Sequence, residues 1–230
     1  MPLSEKTLEL NIISELTYLF RIAGRNPYYV GYTQLEELHT GTDIEFQNGH
    51  QIMFLQFKKG YRRRNFFTFY INNNRPHFNQ HQTFIRHGAV ANASRYVFPR
   101  IADNNDVNTF RGRFLTVTPF IPATRIGNLN PPDTHHRIRL WGNGRMTKHS
   151  QGDDIGKWKP LLSEQMTLHK IGKQEADAII ESFELPTLTK VLPKVFELVD
   201  EKKEKYESIF GLKRSGFCMI FESYPSENKE

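Results

Sequence analysis

Asp43, Gln56 and Lys58 are the residues of this sequence whose types and spacing best suit a chemical reaction. A carboxylate oxygen and an amide oxygen are ligands that a hard cation such as Mg²⁺ accepts. A cation held in this way makes a strong nucleophile from water, and a nearby lysine offsets negative charge that develops on a phosphate. The three residue types together therefore suit the hydrolysis of a phosphodiester bond.

A predicted β-hairpin brings these residues together. Two β-rich segments, 42–46 and 51–58, flank Asn48-Gly49, a dipeptide that favours a two-residue turn. With that turn, Asp43 pairs with Phe54, and Gln56 is its diagonal neighbour on the same face. The pattern predicts one face for chemistry and one for the core. The first face carries Asp43, Glu45, Phe54, Gln56 and Lys58, and the second carries Ile44, Phe46, Met53, Leu55 and Phe57.

The first predicted helix, Glu5 to Phe20 with Ser4 as its N-cap, supplies a further acid. Glu9 projects into the middle of the apolar arc of this helix. A carboxylate there is costly unless it meets a metal ion or a cation, and in that case Glu9 could complete the metal site. Alternatively, Glu9 lies in the exposed first turns, where the helix dipole favours acids. Glu5, close to the arc, and Glu15, at its edge, are the fallback candidates.

An acid on a first helix, then Gly41-Thr42-Asp43, then Gln56-Phe57-Lys58 resembles the PD-(D/E)XK nuclease superfamily. The resemblance is closest to restriction- and defence-associated branches that end the motif in Gln-x-Lys, and it extends through Pro99. It implies that Asp43, Gln56 and Glu9 bind Mg²⁺ or Mn²⁺ and that Lys58 is the catalytic lysine. It also implies an αβββαβ core. Thr42 replaces the proline of the motif, and Gln56 replaces an acid, which removes one negative charge from the metal site.

The resemblance implies a metal-dependent endonuclease that cleaves phosphodiester bonds in restriction or anti-phage defence. Double-stranded DNA is the expected substrate, although the residues do not distinguish DNA from RNA. A homodimer that matches a two-fold site and a subunit of a defence complex are the alternative assemblies. The competing interpretation is a catalytically degenerate nuclease fold that only binds nucleic acid or a protein, which is consistent with Gln56.

A basic segment directly follows the hairpin. The chain carries a net charge of +6, and five of its cations lie between positions 58 and 64. Lysine and arginine contacts with phosphates bind a nucleic acid without reading its sequence. We expect Lys59, Arg62, Arg63 and Arg64 to line a phosphate track.

The order of the predicted elements indicates an α/β protein with a mixed central sheet flanked by helices. We divide the chain into a nuclease-like core (1–121), irregular loops or a small insertion (122–160), and C-terminal helices with a last strand that pack on the core (161–230). The further predicted strands are 26–32, 66–71, 95–101, 114–121 and 216–223, and the further predicted helices are 76–87, 174–183 and 193–206.

Several classes of protein and site are disfavoured. The single cysteine, Cys218, excludes an internal disulfide framework and a zinc cluster built from thiolates. No apolar run approaches the length of a membrane span, and the N-terminus lacks the pattern of a secretory signal, so we expect a cytoplasmic protein without membrane contact. His135-His136 has no cysteine or carboxylate at zinc-like spacing. Asp153-Asp154 could offer metal ligands, but an acid pair on a loop is more often solvated. We expect His81 to face solvent or cap a helix; the alternative is a position near the site.

Overall fold

The computed structural model describes residues 3–31, 44–48, 51–72, 81–82, 85, 88–129, 135–148, 153–187 and 190–191. It is an α/β protein with two five-stranded sheets and a few helices, which confirms the predicted class. None of the described helices combines the length and the apolar character needed to cross a membrane.

The first helix, α1 (Glu5–Ile22), covers one face of the first sheet. The side chain of Ser4 accepts a hydrogen bond from the Thr7 backbone N–H, as predicted for its N-cap. The apolar arc of α1 packs on a large core that also contains the inward residues of the sheet and of the helix at Lys173–Glu181. The α1 members of this core include Leu8, Ile12, Ile13, Leu16, Leu19 and Phe20.

The first sheet combines antiparallel and parallel pairing. Its order is β1 (Tyr28–Gly31), β2 (Ile44–Asn48), β3 (Gln51–Phe57), β6 (Ser94–Val97) and β7 (Phe120–Pro122). The pair β3–β6 is parallel, and the other pairs are antiparallel. A short helix, α2 (Gly88–Ala93), leads directly into β6. The mixed sheet predicted from the element order is therefore present.

The second sheet is entirely antiparallel. Its order is β10 (Asp153–Lys157), β9 (Arg145–Lys148), β8 (His135–Trp141), β5 (Phe66–Asn72) and β4 (Gly60–Arg62). Its inner face meets Tyr96, Phe98 and Ile121 from the first sheet and its flanks in a second core. Other helices of the described chain are α3 (Asn104–Thr109), α4 (Ala123–Ile126) and α5 (Lys173–Glu181), with 3-10 helices at Phe114–Thr116 and Leu168–Lys170.

Local sequence predicted several elements correctly and missed others. The strand at 66–71 and the helix at 174–183 are confirmed as β5 and α5. The predicted strand 114–121 is wrong, because 114–116 form a 3-10 helix and only the end of the segment pairs, as β7. The region 122–160, predicted as irregular, contains three strands of the second sheet. The strand at 95–101 ends at Val97. The predictions at 193–206 and 216–223 lie outside the described residues.

Candidate active site

The hairpin of β2 and β3 forms, but its register differs from the predicted one. Asn48 pairs with Gln51 and Glu45 with Phe54, whereas the predicted register pairs Glu45 with Ile52. The start of β3 is held from its other side, since Gln51 bridges Thr187 and the Ile52 N–H donates to the Pro186 carbonyl at 3.3 Å. These long-range contacts keep Gln51 in the strand and override the local preference of Asn-Gly.

The two predicted faces survive this change, because a shift of two residues leaves every side chain on its original side. Ile44, Met53, Leu55 and Phe57 lie in the core under α1, as predicted. The opposite face is not a solvent-exposed surface. Glu45 is 1% exposed, Phe54 3% and Gln56 2%. Phe54 packs in a small cluster with Ile52, Val90, Ala93 and Val191.

Gln56 stands beside a buried tyrosine that is hydrogen-bonded to a buried histidine. It pairs with Tyr96 of β6, so the two side chains share a face. The Tyr96 hydroxyl is 3.1 Å from Nδ1 of His81, and Nε2 of His81 is 2.6 Å from the Gly127 carbonyl oxygen. A carbonyl only accepts, so Nε2 carries the proton and Nδ1 accepts from the tyrosine hydroxyl. The Gln56 amide donates a long hydrogen bond, 3.5 Å, to the Phe57 carbonyl.

His81 was expected to face solvent or cap a helix, and this prediction is wrong. The side chain is fully buried. Burial lowers the pKa of His81 to about 4, against the smaller opposing effect of its bond to Gly127. The histidine is therefore neutral near pH 7. Its neighbour His136 is also buried, between the two sheets.

Glu9 is buried on the α1 side of the first sheet. It forms an ion pair with Lys6 and lines a cleft of about 410 Å³ together with Tyr29 and Ile44. The cation partner that a buried carboxylate needs is thus present. Ile44 and Gln56 point to opposite faces, so the described contacts do not bring Glu9 together with Gln56.

The two fallback acids of α1 differ in their surroundings. Glu15 is buried, and its two carboxylate oxygens accept the backbone N–H groups of Phe114 at 2.9 Å and Leu115 at 3.0 Å. Burial raises the pKa of Glu15, and these two hydrogen bonds act in the opposite direction. Glu15 therefore anchors the 3-10 helix. Glu5 is exposed in the first turn.

Two of the remaining predicted site residues, Lys58 and Lys59, directly follow β3. Asp43 lies outside the described residues. Lys58 is partly buried, and its backbone N–H donates to the Val97 carbonyl at 3.1 Å, which continues the β3–β6 ladder. Lys59 donates from Nζ to the Leu3 carbonyl at 2.6 Å and so ties this end of β3 to the start of α1.

The arginines of the basic segment differ in whether they form ion pairs within the protein. Arg62 pairs with Asp106, whereas Arg63 and Arg64 are exposed and form no ion pair with the residues described. Only the latter two are open to a phosphate without first leaving a protein partner. Lys59 and Arg62 act, in this structure, as contacts within the chain.

Metal ligation in the described part of the chain is limited. No three His, Cys, Asp or Glu residues cluster there as a metal site would require. Asp154 binds Arg145 at 2.9 Å and the Gly156 N–H at 2.8 Å, and these bonds lower its pKa. Glu45 lies on the predicted face of the hairpin, but no role was predicted for it. Its position two residues after Asp43, on the same side of the strand, is the feature of the sequence that indicates a place near the site.

Comparisons with protein-family models, curated proteins and solved structures found no significant match to this chain.

Proposed function

We propose that the protein is a metal-dependent nuclease whose active site forms at the open end of the β2–β3 hairpin. The observed register carries the proposal. Ile44 pairs with Leu55, and a ladder extended by one residue would pair position 43 with position 56. Directly opposed side chains have Cβ atoms roughly 5 Å apart, closer than the diagonal relation predicted from sequence. On this register Asp43 and Gln56 are expected to share a ligand.

The order of elements supports the same proposal. A helix (α1) precedes three antiparallel strands (β1–β3), and after the excursion of β4 and β5 into the second sheet, a helix (α2) precedes β6. Because β6 runs parallel to β3, the carboxyl ends of the two strands lie at the same edge of the sheet, and Lys58 directly follows β3 there. This is the order expected of an αβββαβ nuclease core.

The donor atoms of this face suit Mg²⁺ or Mn²⁺. Asp43 and Gln56 offer oxygens, the ligands that these cations prefer, and Glu45 is a buried carboxylate on the same face. Glu45 adds the negative charge that Gln56 lacks. When bound, the cation would supply Lewis acidity and an activated water. Lys58 would hold its ammonium group near the scissile phosphate and offset the charge that develops there.

Glu9 remains part of the proposal in a weaker role. Its position beside Ile44 places it next to the start of β2, on the far side of the sheet from Gln56. To join the site it must leave Lys6 and reach around the open end of the hairpin. We therefore assign Glu9 a role in holding waters at that end and no direct place beside Gln56.

The proposed substrate is double-stranded DNA in restriction or anti-phage defence, with a homodimer or a defence complex as the working assembly. Arg63 and Arg64 supply exposed positive charge after the active-site strand. Their contacts with phosphates predict a binding affinity that falls with salt concentration.

Cleavage of a supercoiled plasmid with Mg²⁺ or Mn²⁺ tests the proposal. The wild type is expected to cut, and Asp43→Ala and Lys58→Ala are expected to lose about 100-fold or more of the rate, the usual cost of a charged group that acts in the transition state. Asp153→Ala and Lys170→Ala remove an exposed acid and an exposed lysine elsewhere, and both should cut as the wild type does. Equal cutting by all five proteins would refute the site.

A catalytically degenerate nuclease fold is the second candidate, and the neutral Gln56 favours it. The same assay distinguishes the two functions. If the wild type and Gln56→Glu both fail to cut while salt-sensitive DNA binding is retained, the degenerate function is supported. Cleavage gained only in Gln56→Glu would show that the missing charge is the cause.

A further inference from the structure

The outer face of the second sheet carries aromatic rings and arginines. On β5, Phe67, Phe69 and Ile71 point into the core, so Phe66 and Tyr70 point outward. The register places Trp141 opposite Phe66 and Arg137 opposite Tyr70. We call this surface the aromatic face; its residues are Tyr61, Phe66, Tyr70, Arg137, Arg139 and Trp141.

The rings of this face are partly open to solvent and are held by guanidinium groups. Tyr61 is 48% exposed and Tyr70 is 36% exposed, with their ring centroids 5.5 Å apart. Arg137 lies 5.5 Å from the Tyr70 centroid, and Arg139 lies 4.8 Å from the Phe66 centroid. Each arginine thus sits on a ring and brings positive charge next to it. A face of this kind offers stacking and charge together.

A cleft at one end of the aromatic face concentrates positive charge. It has a volume of about 590 Å³, and its lining includes four arginines, Arg62, Arg63, Arg64 and Arg100, with Phe66 and Trp141 shared with the aromatic face. No acidic side chain is among the described residues that line it. We call it the arginine cleft. Such a cleft suits a polyanion.

Arg100 lies in this cleft with a hydrogen-bonding group unused. Its guanidinium is 5.6 Å from the Phe67 centroid and 4.8 Å from the Trp158 ring, and its buried Nε has no hydrogen-bond partner in the described structure. Burial lowers the pKa of Arg100, while Glu164 opposes that effect from the other side. Arg100 therefore adds a partly buried positive charge to the lining of the cleft.

We propose that the second sheet binds single-stranded nucleic acid, with bases stacked on Tyr61 and Tyr70 and a backbone phosphate in the arginine cleft. A duplex keeps its bases paired and stacked on each other, so exposed tyrosine rings gain little from it, whereas a single strand presents free base faces. Arg63 and Arg64, which form no ion pair with the residues described, supply the charge that meets the backbone, whereas Arg62 is held by Asp106. This inference rests on the proposed function, which makes a nucleic acid the substrate, and it adds that part of this substrate is single-stranded. An unpaired segment would lie on the second sheet while the active site on the first sheet cleaves.

Fluorescence anisotropy in EDTA tests the proposal without cleavage. The probes are labelled dT20, rU20 and a blunt 20-base-pair DNA duplex. The dT20 and rU20 arms show whether the sugar matters, and the single strands are expected to bind more tightly than the duplex. Tyr61→Ala and Tyr70→Ala should each weaken single-strand binding about 5-fold or more, and Tyr61→Phe should retain it, because loss of one stacked base has this size. Arg64→Ala should weaken binding to all three probes and reduce the salt slope.

Matched controls separate the two surfaces from general effects. Tyr28→Ala removes a tyrosine that is 63% exposed on the first sheet, and Arg111→Ala removes an exposed arginine away from the cleft. Both should bind as the wild type does. The inference is overturned if Tyr61→Ala and Tyr70→Ala also bind like the wild type, or if the duplex binds more tightly than the single strands. If single strands do not bind but the protein cleaves plasmid, this inference alone is overturned. If single strands bind as expected but no plasmid is cleaved, only the proposed nuclease activity is overturned.

Discussion

Replacement of the buried His81 by glutamine should remove a large part of the acid sensitivity of folding. His81 is fully buried between the Tyr96 hydroxyl and the Gly127 carbonyl. Glutamine offers one acceptor and donors at similar reach but does not titrate. The substitution therefore preserves the hydrogen bonds and deletes the proton uptake.

The pKa of His81 is lowered from 6.5 to about 4 by burial. Between these pH values the unfolded chain binds a proton that the folded chain does not, so stability falls as the pH decreases through this window and is fully retained above it. At about 1.4 kcal/mol for each tenfold change in proton affinity, the loss is about 3 kcal/mol between pH 7 and pH 4. This is a large fraction of the stability of a typical domain.

Urea unfolding of the wild type and of His81→Gln at intervals from pH 7 to pH 4 measures the effect. The free energy of unfolding of the wild type should fall by about 3 kcal/mol more than that of His81→Gln over this range. His169→Gln, on an exposed histidine, should follow the wild-type curve. Parallel curves for the wild type and His81→Gln would refute the buried, neutral assignment.

Two further substitutions test the packing around the sheets. Glu15→Gln should lower the free energy of unfolding by about 1–3 kcal/mol, because the amide NH2 group would face one of the two backbone N–H groups that the carboxylate accepts. The control Glu181→Gln replaces an exposed acid and should change the free energy of unfolding by less than about 0.5 kcal/mol. Gly60→Ala should lower the free energy of unfolding by about 1–3 kcal/mol, because the added Cβ would lie 2.8 Å from the buried ring of Phe69. Gly142→Ala is the control, since its Cβ would lie 3.8 Å from the nearest atom. Equal thermal midpoints for the two variants would contradict this packing.

The faces of the hairpin could be predicted from sequence because alternation is a local property. Ile44 lies between the acids Asp43 and Glu45, and Gln56 lies between Leu55 and Phe57. Ile44, Leu55 and Phe57 are buried under α1. The register could not be predicted in the same way. It depends on Thr187 and Pro186, which contact the start of β3 from far along the chain.

The second sheet was missed for a similar reason. Arg137-Ile138-Arg139-Leu140 does alternate, which indicates a strand, but the surrounding glycine, proline and asparagine residues favour loops. Its pairing with β5 joins segments that are separated in the chain by β6 and β7 of the first sheet. The aromatic face exists only in that pairing, since Tyr70 and Arg137 are remote in sequence.

The burial of His81 could not be predicted from the usual exposure of histidine residues. Histidine is more often exposed than fully buried, and this one is buried because Tyr96 and Gly127 satisfy both ring nitrogens. Nothing near position 81 indicates those partners.

A crystal structure of the protein soaked in Mn²⁺ tests the proposed active site most directly. The anomalous scattering of manganese locates the ion independently of any model of the site. The proposed nuclease predicts a manganese peak bound by Asp43 and the Gln56 side-chain oxygen, on the face of the sheet that carries Glu45. A manganese ion bound elsewhere, with none beside Gln56, would contradict it.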